Sequence, residues 1–459
     1  MKKTYTFTYG TETRTVELDE ALLAAPPIAP RPAESTGSPR DALVAAMASP
    51  LGRPPLRELV GGKKVAVIIS DEFRAGLHET ILDVVLEELH AGKPKKVTIL
   101  CATGTHAPEI YTPQIKKWAE AAATKHSQPI TFVGHNCDDP ALVELGTTER
   151  GSRVIVEPAW LEADVRVSAH EAKHHYMAGY SSVVKHLLPG ISGRASVENN
   201  HRLALDDDSQ AGQYPLHPDP SRRRNPFSED ALEAFRMSMS KTLLPDGTLE
   251  DRPGVSYLLD MISDKDAVFF ACAGAPEEVT PKVLAAADEQ AEFKVPKSRY
   301  VVVSPGGPPA STALYGVQNC FDMALLGAIE QGGEALVFGP CNGRPGVDPD
   351  AKGLAPDGKS KALFWDSLVR MKDQPLEDCY REIHDGFKLY LWKTWRVLRL
   401  FKRDRIKIWM YGELPADILR AGGFEHAPDP QAWIDERAAR GDGKFVLIDG
   451  GNKLLVRGE

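Results

Sequence analysis

The hydrophobic pattern opens on a hairpin. Tyr5, Phe7 and Tyr9 alternate with threonines, Gly10 interrupts, and Val16 and Leu18 resume the alternation. That period of two is the signature of paired strands. Residues 24–40 (AAPPIAPRPAESTGSPR) are proline-rich and read as an extended connection. From there apolar runs and helical periods take turns. KKVAVIIS reads as a buried strand, ETILDVVLEELHAG as a helix closed by Gly92, and KKVTILCATG as a second strand. TPQIKKWAEAAATK is then helical and ITFVGHN strand-like, a βαβ rhythm that predicts a largely parallel sheet. Residues 202–260 are polar and less regular. A second rhythm starts at RYVVVSPGG (299–307) and continues through the helical STALYGVQNCFDMALLGAIEQGG and the strand-like EALVFGPCNG. Mostly helical residues 361–402 and a strand at RIKIWMYG complete it. The expected fold class is α/β, with two α/β domains built on largely parallel sheets and the active site in the cleft between them. The domains are placed at residues 1–290 and 291–425, and the strand-like KFVLIDGGNKLLVRG within 426–459 is expected to return to the first.

Composition narrows the function classes. A chain of 459 residues is too long for one ordinary core, which agrees with two domains. A net charge of −9 argues against a general binder of nucleic acid or anionic membrane. The short SRRRNP run (221–226) lies in a polar, proline-rich stretch and reads as a solvated loop. Six scattered cysteines with no CxxC spacing suit reduced thiols better than a disulfide framework or a zinc site. The N-terminus lacks an apolar signal core, and no apolar run reaches the roughly eighteen residues of a membrane span. A cytoplasmic location is expected.

In open α/β sheets, ligands bind beyond the carboxyl ends of the strands. The loops leaving those ends are DEFRAG with Asp71 and Arg74, and TGTHAP with Thr103, Gly104, Thr105 and His106. After ADVRVSAH comes HHYMAGYSSVVKHLLPGISG, with His174, His175 and Lys185, and then ENNHRLA with His201. PGGPPASTALYG follows the strand VVVS. Alone, each such residue is most often a packing or hydrogen-bonding group. Lys185 by itself reads as an exposed loop cation, and His201 as a capped polar loop residue. Polar, glycine-punctuated loops at the strand ends of one sheet, carrying His, Arg, His and Lys, together read as a site.

The order and spacing of these pieces resemble the nickel-pincer lactate racemase family. HYMAGYSSVVKHLLPGISG followed by NNH is similar to that family's H-x-x-A-G-[FY]-S-x-x-x-K-x-x-x-P-G-[IV] run and its later Asn-His. ATGTHAP resembles A-T-G-x-H-x-P, SDEFRAG resembles D-x-T-R-P, and LGTTERGSRVIV resembles L-G-T-T-x-x-G-x-x-V. The likeness continues through SPGGPPASTALYGVQ and GPCNGRPG and so covers most of the chain.

The resemblance implies an isomerase, a racemase or epimerase that inverts C2 of a 2-hydroxy acid by proton-coupled hydride transfer. It implies nickel held by pyridinium-3-thioamide-5-thiocarboxylic acid mononucleotide, with cofactor-building enzymes as partners for activation. On this likeness Lys185 tethers the cofactor, His201 supplies a nickel ligand, and His106 and His175 share the acid/base work. Residues 1–290 would bind the cofactor and 291–425 would close over the substrate. His175 is preferred to His174 because it keeps the three-residue step to Ala178-Gly179, which leaves His174 a neighbouring group. Asp71 and Arg74 fall on the cofactor loop, where Arg74 would hold the nucleotide phosphate or the substrate carboxylate. Pro189 with Gly190 shapes the turn beneath the cofactor. The chemistry agrees with first principles. Ni(II) favours square-planar N/S sites, and inversion calls for a base on each side of the substrate, a task suited to imidazoles.

The departures point to a different substrate. Ser181, Ser182, Val183 and Val184 stand where glycines are usual before the lysine, Phe73 replaces Thr, and Ala75 replaces Pro. Gly316 and Asn319 occupy the positions of the Gln and Lys that bind lactate in lactate-specific members. Losing the lysine removes a carboxylate partner, and the glycine is expected to open volume. The expected substrate is therefore larger than lactate, an aldonic acid first and an aromatic or longer aliphatic 2-hydroxy acid second. Two other classes fit parts of the pattern. A zinc hydrolase or lyase would need only His106, His175 and His201 around an open water site. A non-catalytic cofactor carrier would bind and invert nothing. An NAD dehydrogenase is disfavoured, because no GxGxxG follows a strand with an acidic partner beyond it.

Overall fold

The computed structural model describes residues 1–32, 37–74, 76–264 and 267–459. Part of the proline-rich connection and the Ala75 departure therefore lie outside the described residues. The first sheet has six strands in the spatial order 267–274, 255–264, 165–171, 64–70, 96–102 and 131–134. All neighbours are parallel except Ala267–Gly274, which turns back antiparallel on Val255–Asp264. The KVAVIIS run is continuously apolar because the sheet is covered on both faces. Val65, Val67 and Ile69 pack in one core with Ile81, Val85 and Leu89 of the helix His78–Gly92, while Ala66 and Ile68 join the other.

The second sheet is wholly parallel, with strands in the order 425–426, 407–411, 329–338, 298–303 and 445–448. The α/β class with largely parallel sheets is as expected, but the division of the chain is not. The tail does not return to the first sheet. Phe445–Ile448 pairs in parallel with Ser298–Val303, and Leu455–Gly458 pairs with Glu292–Val295. All four residues of Phe445–Ile448 are buried, so the strand needs cover on both faces. The N-terminal hairpin Lys2–Tyr9 and Glu12–Asp19 supplies one of them. Phe7, Val16 and Leu18 pack with Tyr300, Phe338 and Phe445. The N-terminal hairpin thus covers the second sheet, and the C-terminal segment adds its edge strand Phe445–Ile448.

Two further differences have local causes. The polar stretch 202–260 contains a helix, Pro226–Ser240, which buries Phe227, Ala231, Ala234 and Phe235 at helical spacing and is capped by Asn225. The expected long helix after the PGG loop is broken into Leu314–Val317, a π-helical turn Phe321–Leu325 and a short remnant before the strand at Ile329. Among the described residues no helix is long and apolar enough to cross a membrane.

One carboxylate ties the site-bearing hairpin to the frame. Lys173–His175 pairs antiparallel with Gly179–Ser181. Gly179 is obligatory here, since its φ is +74° and a Cβ would lie 1.7 Å from the Gln213 carbonyl oxygen. Asp288, on the helix Pro276–Ala291, accepts from His174 Nε2 at 2.9 Å, Tyr180 OH at 2.5 Å and His217 Nε2 at 3.0 Å. It also accepts from both terminal nitrogens of buried Arg222, at 2.6 and 3.2 Å. Its pKa is held well below the ordinary carboxylate range by these donors, against the opposing effect of burial.

Removing Asp288 would leave Arg222 buried with only Glu292, 2.8 Å away, as a counter-charge. Asp288→Ala is expected to cost about 3–5 kcal/mol, the cost of stripping one partner from a buried ion pair, read as a lower denaturant midpoint. Because the folded pKa is depressed, this stabilisation is complete above the unfolded carboxylate pKa and is lost as pH falls. The stability gap between wild type and Asp288→Asn should therefore narrow below about pH 4. A gap that widens on acidification would contradict this role.

Candidate active site

The first candidate loop begins where the strand Lys64–Ser70 ends. Asp71 is wholly buried, and its Oδ2 lies 2.6 Å from His106 Nδ1. Its Oδ1 makes no hydrogen bond and faces the Arg74 guanidinium at 3.6 Å. The turn Glu72–Arg74 is closed by the Arg74 main-chain N–H donating to the Asp71 carbonyl at 3.1 Å. His78 braces the loop from behind, taking the Gly76 N–H on Nδ1 while Nε2 meets Ser70 Oγ at 2.7 Å. The carboxylate sets the tautomer of His106: the proton sits on Nδ1, leaving Nε2 as an acceptor.

His106 is joined to the Lys185 segment through the backbone. The Gly104 N–H donates to the Gly190 carbonyl at 2.9 Å, immediately after Pro189. Lys185 lies in the short helix Val183–Leu187, and its carbonyl accepts the Gly190 N–H at 3.0 Å. Among the described residues, no hydrogen bond or ion pair reaches Lys185 Nζ. Burial first, then the charges of Arg74 and Lys173, push its pKa well below the ordinary lysine value. An amine so placed is driven toward its neutral, nucleophilic form.

His175 has the opposite setting to His106. Its Nδ1 faces the backbone N–H groups of Met177 at 3.4 Å and Ala178 at 3.3 Å, which makes Nδ1 the acceptor and places the neutral-form proton on Nε2. Its pKa is driven well below the usual histidine value by burial, and further by Lys185, Arg74, His201 and Lys173. His201 stands on the helix Arg194–Arg202, one turn after Val197, and its Nδ1 donates to the Val197 carbonyl at 2.8 Å. That bond leaves the Nε2 lone pair available, the arrangement of a metal-ligating imidazole. Burial and Lys185 lower its pKa to about 3, so it is neutral at physiological pH.

Neighbouring histidines on a strand point to opposite faces, and the two candidates in the hairpin separate accordingly. His174 turns to Asp288, whereas His175 turns toward Lys185 and His201. Among the described residues, only His174, Asp288 and Glu292 bring three possible ligand atoms within 4.8 Å of one another. There Arg222 is the cation already bonded to Asp288. The three imidazoles of the zinc reading do not converge in this way.

The C-terminal residues meet the same cluster through the helix Leu391–Lys402. Trp392 packs its ring 5.2 Å from His201 and donates to Tyr176 OH at 2.8 Å, and the Tyr176 ring stacks on His175 at 4.8 Å. Lys393 was not foreseen from the sequence. Its Nζ donates to Asn319 Oδ1 at 2.6 Å, Tyr315 O at 2.9 Å and Gln318 Oε1 at 3.0 Å. It also lies over the rings of Tyr315 and Tyr176, at 4.2 and 4.8 Å. Burial lowers its pKa to about 7. A lysine from a distant helix therefore reaches Asn319, the position where a lysine is missing. Only its place in a tryptophan-flanked run (LWKTW) marked it in the sequence. At Gly316 a Cβ would lie 2.8 Å from the Ala310 carbonyl oxygen. The glycine answers a close backbone approach, and in that direction it opens no volume.

Comparison with known proteins shows what the chain is similar to in sequence and fold. Residues 9–212 match the lactate racemase N-terminal domain. A lactate racemase from Lactiplantibacillus plantarum is 30% identical over 156 residues, which span 33% of this chain and 36% of that protein. A lactate racemase from Thermoanaerobacterium thermosaccharolyticum is 25% identical over 346 residues, 74% of this chain and 75% of that protein. The lactate racemase apoprotein structure from the latter organism shares the fold at a TM-score of 0.79 and 20% identity, covering 99% of this chain and 100% of that one. A Thermotoga maritima protein structure has a TM-score of 0.59 at 16% identity, covering 92% of this chain and 97% of that one. Residues 9–212 thus correspond to a lactate racemase N-terminal domain, and the chain as a whole is similar to lactate racemases in sequence and shares the fold of one of them.

Proposed function

We propose that this chain is a racemase or epimerase that inverts C2 of a 2-hydroxy acid, with nickel and the pincer mononucleotide tethered at Lys185. The single observation that supports this best is the pairing of a Lys185 amine that makes no hydrogen bond or ion pair among the described residues with His201, whose Nε2 is left free by its bond to Val197. One residue suits a covalent tether and the other a metal ligand, and His175 interacts with both. The orphaned Asp71 Oδ1 and half-exposed Arg74 supply polar groups for the nucleotide at the same loop. When bound, the cofactor would supply a reversible acceptor for the hydride at C2.

The protein's own residues would handle the rest. The substrate hydroxyl loses a proton as its C2–H electron pair departs, leaving a 2-keto acid, and both return with the opposite face presented. His106, with Nε2 open, is set to accept the hydroxyl proton, and His175, with its proton on Nε2, is set to donate one. Asp71 would hold His106 upright and stabilise its cationic form, while Arg74 would attract the carboxylate or phosphate. Cofactor-building enzymes would be needed as partners for activation, and the reaction would take place in the cytoplasm. A non-catalytic carrier would need Lys185 and His201 but not a second histidine held by a buried carboxylate.

After co-expression with the cofactor-building enzymes, peptide mass mapping should find added mass on Lys185, absent from Lys185→Ala. Full nickel loading and turnover in Lys185→Ala would overturn the tether. His106→Ala and His175→Ala should keep nickel yet lose turnover by about 10²–10⁴-fold or more, the usual range of general acid–base catalysis. His201→Ala should release nickel on dialysis while still showing the Lys185 adduct. Inactivity of His174→Ala with an active His175→Ala would show that the acid/base position is off by one.

A further inference from the structure

Five large hydrophobic side chains stand exposed among the described residues: Met1, Val44, Phe73, Ile110 and Tyr380. One of them meets His106 directly. Phe73, 48% exposed, lies on the turn between Asp71 and Arg74, and its ring meets the His106 ring edge-on at 5.4 Å. Tyr111 completes the group, 4.9 Å from His106 and 6.3 Å from Phe73, with Ile110 beside it in sequence. The guanidinium groups of Arg74 and Arg344 lie 6.0 and 5.6 Å from the Phe73 ring. Arg344 follows the strand Ile329–Phe338, so residues from both sheets border the wall. Phe73 is also a departure from the family pattern, which has threonine there. An exposed aromatic group bordered by cations, beside an acid/base histidine, has the composition of a ligand wall rather than of ordinary surface.

We infer that Phe73, with Tyr111 and Ile110, forms the wall that receives the substituent on C2 of the substrate, and that the preferred substrates are 2-hydroxy acids with an aryl or branched aliphatic tail. The inference rests on the reading of His106 as an acid/base group. A substrate hydroxyl in reach of His106 Nε2, about 2.6–3.2 Å away, brings C2 next to that ring, and the substituent on C2 then falls among the rings around it. Phe73 and Ile110 offer no hydrogen bond, so a polyhydroxylated tail would lose water there without replacement. An aromatic tail gains offset or edge-on ring contacts. The polar features that favoured a sugar acid are otherwise engaged: Asn319 Oδ1 holds Lys393, and Gly316 is packed on Ala310. An apolar tail therefore takes precedence over an aldonic one.

The test uses holo-protein and four single-enantiomer substrates: 3-phenyllactate, 2-hydroxy-4-methylpentanoate, lactate and gluconate. Wild type should invert phenyllactate with the highest kcat/KM. In Phe73→Thr the phenyllactate-to-lactate ratio of kcat/KM should fall roughly 10–200-fold, the scale of apolar discrimination in a pocket, and Phe73→Leu should restore part of it for the methylpentanoate. Preference for gluconate or lactate in wild type would overturn the inference, as would a Phe73→Thr effect that is equal on all four. Should wild type invert none of them, the racemase reading fails separately, and calorimetric titration with phenyllactate decides the wall. Binding that is lost in Phe73→Thr upholds it; no binding, or binding indifferent to the substitution, overturns it.

Discussion

Crowded positive charge governs this site. Arg74, Lys173 and Lys185 act on one another and on His175, with the buried carboxylate of Asp71 facing Arg74 and Glu171 and Asp264 acting on Lys173. Desolvation makes the charge on Lys185 costly, and repulsion from Arg74 and Lys173 adds to the cost. The protein relieves it by holding Lys185, His175 and His201 toward their neutral forms. Neutrality is what the proposed tethering amine at Lys185 and the proposed metal ligand at His201 would each require. The same imbalance draws anions, which suits a carboxylate substrate and a phosphorylated cofactor alike.

The elements farthest from the site give that charge cluster its rigidity. Asp288 fixes His174 and Tyr180 on the hairpin that presents His175, and the pairing of His175 with Gly179 fixes the register. Tyr176 then couples the hairpin to the helix Leu391–Lys402 through Trp392 and Lys393. Residues remote in sequence thus share one ring. Arg396 strengthens the joint by pairing with Asp322 at 2.7 Å while both are buried.

Much of this is legible in the sequence, and the limits are physical. Apolar runs such as VAVIIS and YVVV name their strands because both faces are covered, and the loops after them carry Asp71, His106 and Lys185 in a recognisable order. His175 is separated from His174 by spacing alone, and strand alternation agrees. The tail is misplaced because FVLI looks the same whichever sheet it joins; only the apolar face of the distant N-terminal hairpin decides. Lys393 is hidden for a related reason. A lysine in an amphipathic helix reads as solvated, and its burial depends on Gln318 and Asn319 meeting it from another segment. Gly316 shows the reverse error, in which a missing side chain was taken for space when backbone fills it.

The N-terminal hairpin has a consequence for synthesis. Its apolar face, with Phe7, Val16 and Leu18, is completed by Phe445 and by Tyr300. At ribosomal rates of about 5–20 residues per second, roughly 20–90 s separate the appearance of these partners. During that interval the six-stranded sheet can close, but the hairpin waits with its inner side uncovered. The layer that this hairpin completes is thus the last to assemble, and substitutions at Phe7, Val16 or Leu18 would disturb that late step rather than closure of the first sheet.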